Sequence, residues 1–354
     1  MTRVALDARR LQDQPLGGVG RRLRNLLPHL TSEVEVVLLT DARRPSPAPG
    51  DVEEVRLSVP GRLPEPFWLQ AGAAKWLRGF KGVFDGTYNA VPLAYRGHSV
   101  VTLHDLSWEH HPEDLHPLRR ASFLIQARLS ARRADVVIAV SEYARRSIMA
   151  TYRLPAERVV MAPPSVDPIF SPDRVDELPA LRERLGIAGS YVLALGGAKR
   201  RGLEVAVEAW RRLPSGPDRP VLVVVGREAP PSEAGIIGAG PLDDREWAAL
   251  LAGAATFCYP TRYEGYGMPA LEAAASGVPV VCARIGPLPE VLGDAAEWCP
   301  TPSVNDIAEG LERVIGDPGR RQSLRRAGLA VAAAAPTWAD CADVVVGAYR
   351  LADR

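Results

Sequence analysis

The chain has 354 residues, of which 47% are hydrophobic and 24% charged, a balance typical of a globular protein long enough for two domains. Its formal net charge of +1 gives no reason to expect a nucleic-acid partner. It has no run of about eighteen apolar residues and no signal core at its start, so we expect a cytoplasmic protein whose contact with the inner face of a membrane would be peripheral.

Short apolar segments alternate with helical ones along the whole chain. The strand-like segments are RVALDA, EVVLLT, HSVVTLHD, DVVIAVS, RVVMAP, YVLALGG, PVLVVVG, ATFCYPT and VPVVCA. Continuous apolar strands separated by helices indicate parallel sheets that are covered on both faces. The predicted fold class is therefore α/β.

Two doubly wound domains are predicted from the order of these segments. The proline-rich segment 162–179 indicates a linker, and YVLALGG restarts the strand–loop–helix pattern at Tyr191. A last helical segment follows Pro336. Ligands of open parallel sheets bind beyond the carboxyl ends of the strands, so we expect the site in a cleft between the two domains. The four cysteines lack metal-site spacing and are expected to be small core residues in a reducing compartment.

The first segment that could contact a ligand is LDARRLQDQPLGGVGRR, in which a strand ends near Asp7 and glycines begin a helix. The glycines are Gly17, Gly18 and Gly20. Glycine lets the backbone approach a ligand closely, and the free amides at a helix start attract anions. The spacing matches neither the dinucleotide fingerprint nor the P-loop. A ligand contact and a tight turn are equally good interpretations.

The next strand delivers His104 and Asp105 to its carboxyl end. A histidine placed there can exchange a proton with a substrate hydroxyl near neutral pH. The alternative is a histidine that bonds to backbone at the strand end.

The arginine-rich segment from Leu118 to Arg133 could dock on an anionic membrane. A surface helix packed by Phe123, Leu124 and Leu129 is the favoured interpretation.

Three cations follow the strand YVLALGG, namely Lys199, Arg200 and Arg201, and Gly202 then precedes a helix that starts near Leu203. Cations at a helix start oppose the helix dipole, which favours a functional role over a solvated loop. They suit a diphosphate whose charge grows as it leaves.

The segment RYEGYGMPALEAAASGVPVV places Glu264 in a glycine-flanked turn and Glu272 in the helix that follows. We expect this helix to run from Met268 to about Ser276, with Glu272 leaning back toward the turn. Carboxylates bind sugar and ribose hydroxyls, and helix-start amides hold phosphate. The pair of glutamates therefore suits a nucleotide-sugar.

Together these segments resemble the retaining glycosyltransferases of family 4, which have the GT-B architecture. Glu264 and Glu272 match the E-x7-E motif, and the segments GGVGR, VTLHDLSWEHHPE, VIAVSEYARRSI and GPLDDREWAALLAGAATFCYPT are also similar. The resemblance covers nearly the whole chain. The segment AKRRGL is shorter than the usual loop of the family, so the cation that would grip the diphosphate stays open among Lys199, Arg200 and Arg201.

The resemblance implies a role for each matched residue. The implied catalytic residues are His104 and Glu264, and the implied donor-binding residues are Gly18, Lys199, Arg200, Arg201, Glu264, Gly265, Tyr266, Gly267, Met268 and Glu272. It also implies that the C-terminal helix crosses back to the first domain. An acceptor-binding Rossmann-like domain would then comprise 1–170 with 338–354, and a donor-binding one 171–337.

The implied reaction moves a hexose from a nucleoside-diphosphate sugar to a hydroxyl acceptor in glycan, polysaccharide or glycolipid synthesis, with retention of configuration. The first choice of donor is GDP-mannose. The chain contains no D-x-D motif, and neither a metal nor another cofactor is expected. The alternatives are a UDP-sugar transferase, a sugar-nucleotide epimerase and a non-catalytic nucleotide-sugar-binding protein. The paired glutamates argue against the last two.

Overall fold

The computed structural model describes residues 1–58, 67–217 and 219–354, which form two compact units. The first unit comprises Met1–Ser165 and Pro336–Arg354, and the second comprises Val166–Ala335. The sequence placed the corresponding boundaries at residues 170 and 337.

Thirteen strands and thirteen α-helices are assigned within the described residues. The strands are β1 (Arg3–Asp7), β2 (Glu35–Asp41), β3 (Glu53–Leu57), β4 (Val83–Gly86), β5 (His98–Leu103), β6 (Val136–Ala139), β7 (Val159–Met161), β8 (Tyr191–Leu195), β9 (Val221–Val225), β10 (Ile236–Gly240), β11 (Thr256–Cys258), β12 (Val280–Ala283) and β13 (Ala296–Cys299). The α-helices are α1 (Gly18–Thr31), α2 (Ala74–Leu77), α3 (Ser107–His110), α4 (Pro117–Arg133), α5 (Glu142–Tyr152), α6 (Leu178–Leu185), α7 (Leu203–Arg211), α8 (Asp244–Ala252), α9 (Met268–Ala275), α10 (Leu288–Leu292), α11 (Val304–Gly316), α12 (Pro318–Ala334) and α13 (Trp338–Ala352). Short 3₁₀ turns cover Arg9–Gln12, Pro112–Asp114, Ala156–Arg158, Pro172–Glu177 and Lys199–Arg201, and a π-helical turn covers Trp68–Ala73.

The first unit contains a parallel sheet in the order β3-β2-β1-β4-β5-β6-β7. The five strands predicted for this half are present as β1, β2, β5, β6 and β7. The sequence missed β3 and β4. Edge strand β3, EEVRL, is largely polar and partly exposed, and β4 is only four residues long. Neither shows the continuous apolar run by which a buried parallel strand is recognised.

The second unit contains a parallel sheet in the order β10-β9-β8-β11-β12-β13. The four predicted strands are present as β8, β9, β11 and β12. The two missed strands lie at the sheet edges, where β10 (IIGAG) holds two glycines and β13 (AEWC) is interrupted by a glutamate. The structure confirms the α/β class.

The C-terminal helix α13 belongs to the first unit, which confirms that it crosses back. Its inner face buries Cys341, Val345 and Tyr349 in the same cluster as Leu6 and Leu38 of the sheet. All four cysteines of the chain are free and buried, as expected of small core residues. No single helix among the described residues is long and apolar enough to cross a membrane, although the bent pair α12–α13 meets that criterion by length and composition.

The proline-rich segment 162–179, predicted to be a linker, contains the boundary between the two units at Ser165 and Val166, and its second half is ordered as part of the second unit. Ser171 caps a 3₁₀ turn at Pro172–Glu177 by accepting from the amide of Asp173. Phe170 and Leu178 are buried in the core of the second unit. Proline is well tolerated in the first turn of a helix, which is where Pro172 and Pro179 lie.

Each sheet has one position at which the strand order reverses. In the first unit, β1 lies between β2 and β4, and in the second unit β8 lies between β9 and β11. Loops that follow neighbouring strands at such a point diverge to opposite faces of the sheet and leave a crevice between them. The candidate residues Gly18, Lys199 and Glu264 follow β1, β8 and β11, which end at these two points.

Candidate functional site

In the second unit, two loops meet beyond the carboxyl ends of β8 and β11. We call residues 199–201 the cation loop and residues 262–267 the glutamate turn. The Arg262 amide donates to the carbonyl of Arg200 at 2.7 Å, and its guanidinium donates to the carbonyl of Lys199 at 3.0 Å. The two segments predicted to bind a diphosphate and a sugar are therefore joined by hydrogen bonds.

A glycine fixes the path of the chain from the cation loop into α7. Gly202 has φ +71°, and a Cβ there would lie 2.4 Å from the carbonyl oxygen of Pro260. A larger residue would push the cation loop away from β11. Lys199 is exposed, whereas Arg200 and Arg201 are partly buried. The side chain of Lys199 is therefore the most accessible of the three cations.

The glutamate turn ends in a glycine that starts α9. Gly267 has φ +98° and precedes Met268, the first residue of the helix, with Pro269 in the first turn. No described side chain caps this helix start. The predicted helix is confirmed, and a helix start without a side-chain cap is a suitable place for an anion.

Glu264 is held by a tyrosine from the end of β11. The Tyr259 hydroxyl donates to Glu264 Oε1 at 2.5 Å. Burial raises the pKa of Tyr259 well above its usual value, and the Glu264 carboxylate adds to the increase. The hydroxyl therefore stays protonated and acts as a donor that fixes the carboxylate of a partly exposed residue.

Glu272 is held by a different donor and lies deeper. Its side chain is completely buried, and the indole Nε1 of Trp247 on α8 donates to its Oε2 at 2.8 Å. The rings of Trp247, Phe257 and Tyr259 follow one another, with centroids 6.0 Å and 5.1 Å apart. We call these three residues the aromatic series. Contact between Glu272 and a ribose stays a prediction, because a buried carboxylate reaches a ligand only after its neighbours move.

The sequence interpretation missed both donors. Tyr259 follows β11 directly, so its position at a strand end was a readable signal. Trp247 gave no such signal, because its contact depends on how α8 packs against α9.

In the first unit, the two glycines at the start of α1 have different surroundings. A Cβ on Gly18 would meet no atom within 4 Å, whereas a Cβ on Gly20 would lie 2.4 Å from the carbonyl oxygen of Arg10. Packing therefore explains Gly20. Packing does not explain Gly18, because there is space for a side chain at that position. Contact between Gly18 and a ligand therefore stays a prediction.

His104 lies at the end of β5, where its ring bonds to backbone, which is the alternative that the sequence left open. Its Nε2 is 2.9 Å from the carbonyl oxygen of Thr87. A carbonyl only accepts, so Nε2 carries the proton and Nδ1 keeps its lone pair. Burial, assisted by the Arg22 charge, lowers the pKa of His104 to about 4. The ring is therefore neutral near pH 7, and proton exchange between His104 and a substrate hydroxyl stays a prediction.

Beside His104 lies a cluster of buried polar residues that the sequence did not reveal. Asp85 of β4 accepts from the Tyr349 hydroxyl of α13 at 2.6 Å. Burial raises the pKa of Asp85 to about 6, against the opposing effects of that hydrogen bond and of Arg22. Asp7 at the end of β1 forms a buried salt bridge with Arg9 at 2.6 Å. The charges of Asp7 and Arg9 compensate each other, which is what burial requires.

The first unit also contains a cavity of about 440 Å³. Its lining residues are Arg9, Leu69, Tyr88, Asn89, Ala90, Leu118, Arg119, Ser122, Phe123 and Gln126. Asn89 connects it to the end of β5, since its Oδ1 accepts from the His104 amide at 3.0 Å. The cavity is mainly apolar, with arginines at its border.

Comparison with known proteins identifies the family. The model of Glycosyltransferase Family 4 matches residues 16–170, and that of Glycosyl transferases group 1 matches residues 190–330. O-antigen chain mannosyltransferase B of Escherichia coli is 30% identical over 269 residues, which cover 72% of this chain and 70% of that protein. The chain belongs to the family 4 glycosyltransferases. The MMP alpha-(1->4)-mannosyltransferase of Mycolicibacterium hassiacum is 28% identical, over 85% of this chain and 79% of that protein.

Solved structures place this glycosyltransferase in the GT-B fold. Sucrose-phosphate synthase from Thermosynechococcus elongatus matches with a TM-score of 0.77 at 18% identity, covering 99% of this chain and 98% of that one. Anabaena HepE in complex with UDP-glucose matches with a TM-score of 0.73 at 16% identity, covering 98% and 99%. At these identities the similarity concerns the fold.

The two matched regions divide the candidate residues of the glycosyltransferase between them. Gly18 and His104 lie in the first region, and the cation loop and both glutamates lie in the second. Among the described residues, no group of three or more histidine, cysteine, aspartate or glutamate side chains is arranged to hold a metal ion. Independence from metal stays a prediction.

Proposed function

We propose that this glycosyltransferase moves a hexose from a nucleoside diphosphate to a hydroxyl acceptor with retention of configuration, with GDP-mannose as the first choice of donor. The observation that carries the proposal is the junction of the cation loop with the glutamate turn at the edge formed by β8 and β11. Cations and an uncapped helix start suit a diphosphate, and a fixed carboxylate suits sugar hydroxyls. The names of the two mannosyltransferase relatives support the choice of mannose.

In the proposed reaction, the bond between the anomeric carbon and the departing phosphate oxygen breaks. The acceptor oxygen bonds to the same face of the sugar, and its proton passes to the departing phosphate. Lys199, Arg200 or Arg201 would offset the growing negative charge. Glu264 would position the sugar and Glu272 the ribose. His104, being neutral, would accept a hydrogen bond from a hydroxyl through Nδ1 rather than transfer a proton.

A UDP-sugar is the second candidate donor. The structure of Anabaena HepE, which shares the fold, was obtained in complex with UDP-glucose. The relatives named as mannosyltransferases are closer in sequence, so GDP-mannose is preferred.

The first test is thermal melting with GDP, UDP, ADP and dTDP, each with and without magnesium. A ligand that binds only the folded state adds about 2.7 kcal/mol when present at 100 times its Kd. We expect a shift that does not depend on magnesium with one nucleotide, which would identify the base. The absence of a shift with all four nucleotides would contradict a preformed diphosphate site.

The second test is transfer from the matching sugar nucleotide, with the anomeric configuration of the product read by NMR. Glu264→Gln should lower the rate strongly, whereas Glu309→Gln, an exposed glutamate on α11, should not. Full activity of Glu264→Gln would remove the site assignment. Conversion of the donor without any acceptor would indicate an epimerase, and binding without turnover would indicate a binding protein.

A further inference from the structure

The outer face of α4 carries apolar side chains that the fold leaves uncovered. Leu118 is 77% exposed, Ile125 59% and Leu129 41%. Their spacing of seven and four residues places them on one stripe of the helix, about 16 Å long. The sequence favoured a helix packed by Leu129, and the structure shows that Leu129 is largely outside the core.

The opposite face holds α4 firmly in place. Ala127, Ser130 and Ala131 are buried, and the Ser130 hydroxyl accepts from the Val91 amide at 2.9 Å. The Phe123 ring stacks on Trp108 with centroids 5.5 Å apart. The exposed stripe therefore lies on a fixed helix, so its exposure is a property of the folded unit.

The charge of α4 has one sign. The helix contains five arginines and no acidic residue. Arg120 and Arg133 donate to the carbonyls of Trp108 and Tyr95, and Arg128 pairs with Glu109 at 3.6 Å. Arg119 and Arg132 are exposed at the two ends of the stripe. Because the whole chain carries only +1, this positive charge is local.

We propose that the outer face of α4 docks on an anionic bilayer, with Leu118 and Ile125 entering the interface and Arg119 and Arg132 contacting lipid phosphates. A helix that lies at a membrane surface typically inserts apolar side chains into the lipid and places arginines beside them near the headgroups. A second copy of this chain is the poorer occupant, since α4 against α4 would bring the exposed Arg119 and Arg132 of one copy against the same arginines of the other.

The docking face borders the cavity of the first unit, because Leu118 and Arg119 line both. If the proposed transfer is correct, on which this step rests, the acceptor is a hydroxyl carried by a lipid at the membrane surface. The apolar cavity lined by Leu69, Tyr88 and Phe123 would receive the part of the acceptor nearest the bilayer.

The test is sedimentation of the full chain with vesicles of phosphatidylcholine alone and of phosphatidylcholine with phosphatidylglycerol. We expect binding to the anionic vesicles that weakens with added salt. Each arginine near an anionic surface increases the partition coefficient onto the vesicles several-fold. The double variant Arg119→Gln with Arg132→Gln should therefore lower this coefficient about tenfold or more. Leu118→Ser with Ile125→Ser should do the same.

The control is Val344→Ser with Leu351→Ser on α13, which are exposed apolar residues on another helix and should bind as the parent does. Unchanged melting temperatures would show that all variants fold. Equal binding to both vesicle types, no binding, or variants that bind normally would overturn the proposal. So would a dimer dissociated by the Leu118 and Ile125 changes. Nucleotide-induced melting tests the transferase proposal separately.

Discussion

Two aromatic side chains donate to the two glutamates, and each donor can be removed by a substitution that keeps an aromatic ring at the position. In Trp247→Leu the ring would be lost, so the informative changes are Tyr259→Phe and Trp247→Phe. Loss of a donor to a buried carboxylate costs about 1–3 kcal/mol. If both glutamates bind the nucleoside-diphosphate sugar, we expect Trp247→Phe to raise the Kd of the nucleoside diphosphate about tenfold. Tyr259→Phe should mainly lower kcat, since Glu264 is proposed to position the sugar.

The matched control is Trp210→Phe, whose indole donates to the Pro220 carbonyl at 2.7 Å elsewhere in the second unit. It should lower stability by a similar amount and leave nucleotide affinity unchanged. Calorimetric titration measures the Kd, and steady-state rates give kcat. Equal effects of Trp210→Phe and Trp247→Phe on the Kd would show that the aromatic series acts only through stability.

The two glycines of α1 give a second prediction about single residues. Gly20→Ala would force a methyl group against the Arg10 carbonyl, so we expect a loss of about 1–3 kcal/mol in the free energy of unfolding. Gly18→Ala has open space and should leave stability nearly unchanged while weakening binding of a substrate that approaches this backbone. Denaturant unfolding and KM values separate the two effects. A Gly18→Ala enzyme with normal kinetics would assign Gly18 to the turn alone.

Between elements, the burial of Asp85 of β4, where it accepts a hydrogen bond from Tyr349 of α13, makes stability depend on pH. The pKa of Asp85 is raised to about 6 from an ordinary 3.8, so its contribution is fully present below pH 3.8 and is lost as pH rises through 6. Relative to Asp85→Asn, the parent should therefore lose about 2 kcal/mol between pH 4 and 7. Chemical unfolding at several pH values measures this difference.

Asp340, in the first turn of the same helix α13, provides a control of opposite sign. Hydrogen bonds from Thr337 lower the pKa of Asp340, so its contribution is present above the unfolded pKa and is lost as pH falls. The parent should lose a little stability on acidification because of Asp340, and the Asp340→Asn variant should not show this loss. A parent and an Asp85→Asn variant with parallel pH profiles would show that Asp85 is not buried as described.

The strands show how far an apolar pattern reaches. Strands such as β2 and β9, which lie inside a parallel sheet, contain continuous runs of four or more apolar residues and were predicted. Strands β3, β10 and β13 lie at sheet edges, where one side faces no neighbour, and their glycines and charges hide the pattern. The starts of α7 and α9 were easier to predict from the sequence, because each follows a glycine. Gly202 and Gly267 adopt positive φ values, which glycine tolerates better than other residues.

For the protein as a unit, the cysteines report on unfolding. All four are buried, and burial raises the pKa of each, that of Cys299 to about 12. We expect a thiol reagent at pH 8 to label the native protein only as fast as it unfolds. A saturating nucleotide should slow labelling of Cys258, Cys282 and Cys299 in the second unit. Mass spectrometry assigns the labelled sites, and labelling at the rate of a free thiol would contradict this prediction.

The sequence alone was enough for the α/β class, the strand ends that carry the cation loop and the glutamate turn, and the family, since all of these follow from local apolar runs, glycine positions and fixed spacings. It could not give the partners of Glu264 and Glu272, the neutral state of His104, or the exposure of Leu118 and Ile125. Those properties depend on burial and on charges brought close by folding, as when Tyr349 reaches Asp85 across 264 positions of the chain. Spacing in the sequence does not encode such distances, because desolvation and Coulomb energies are set by neighbours in space.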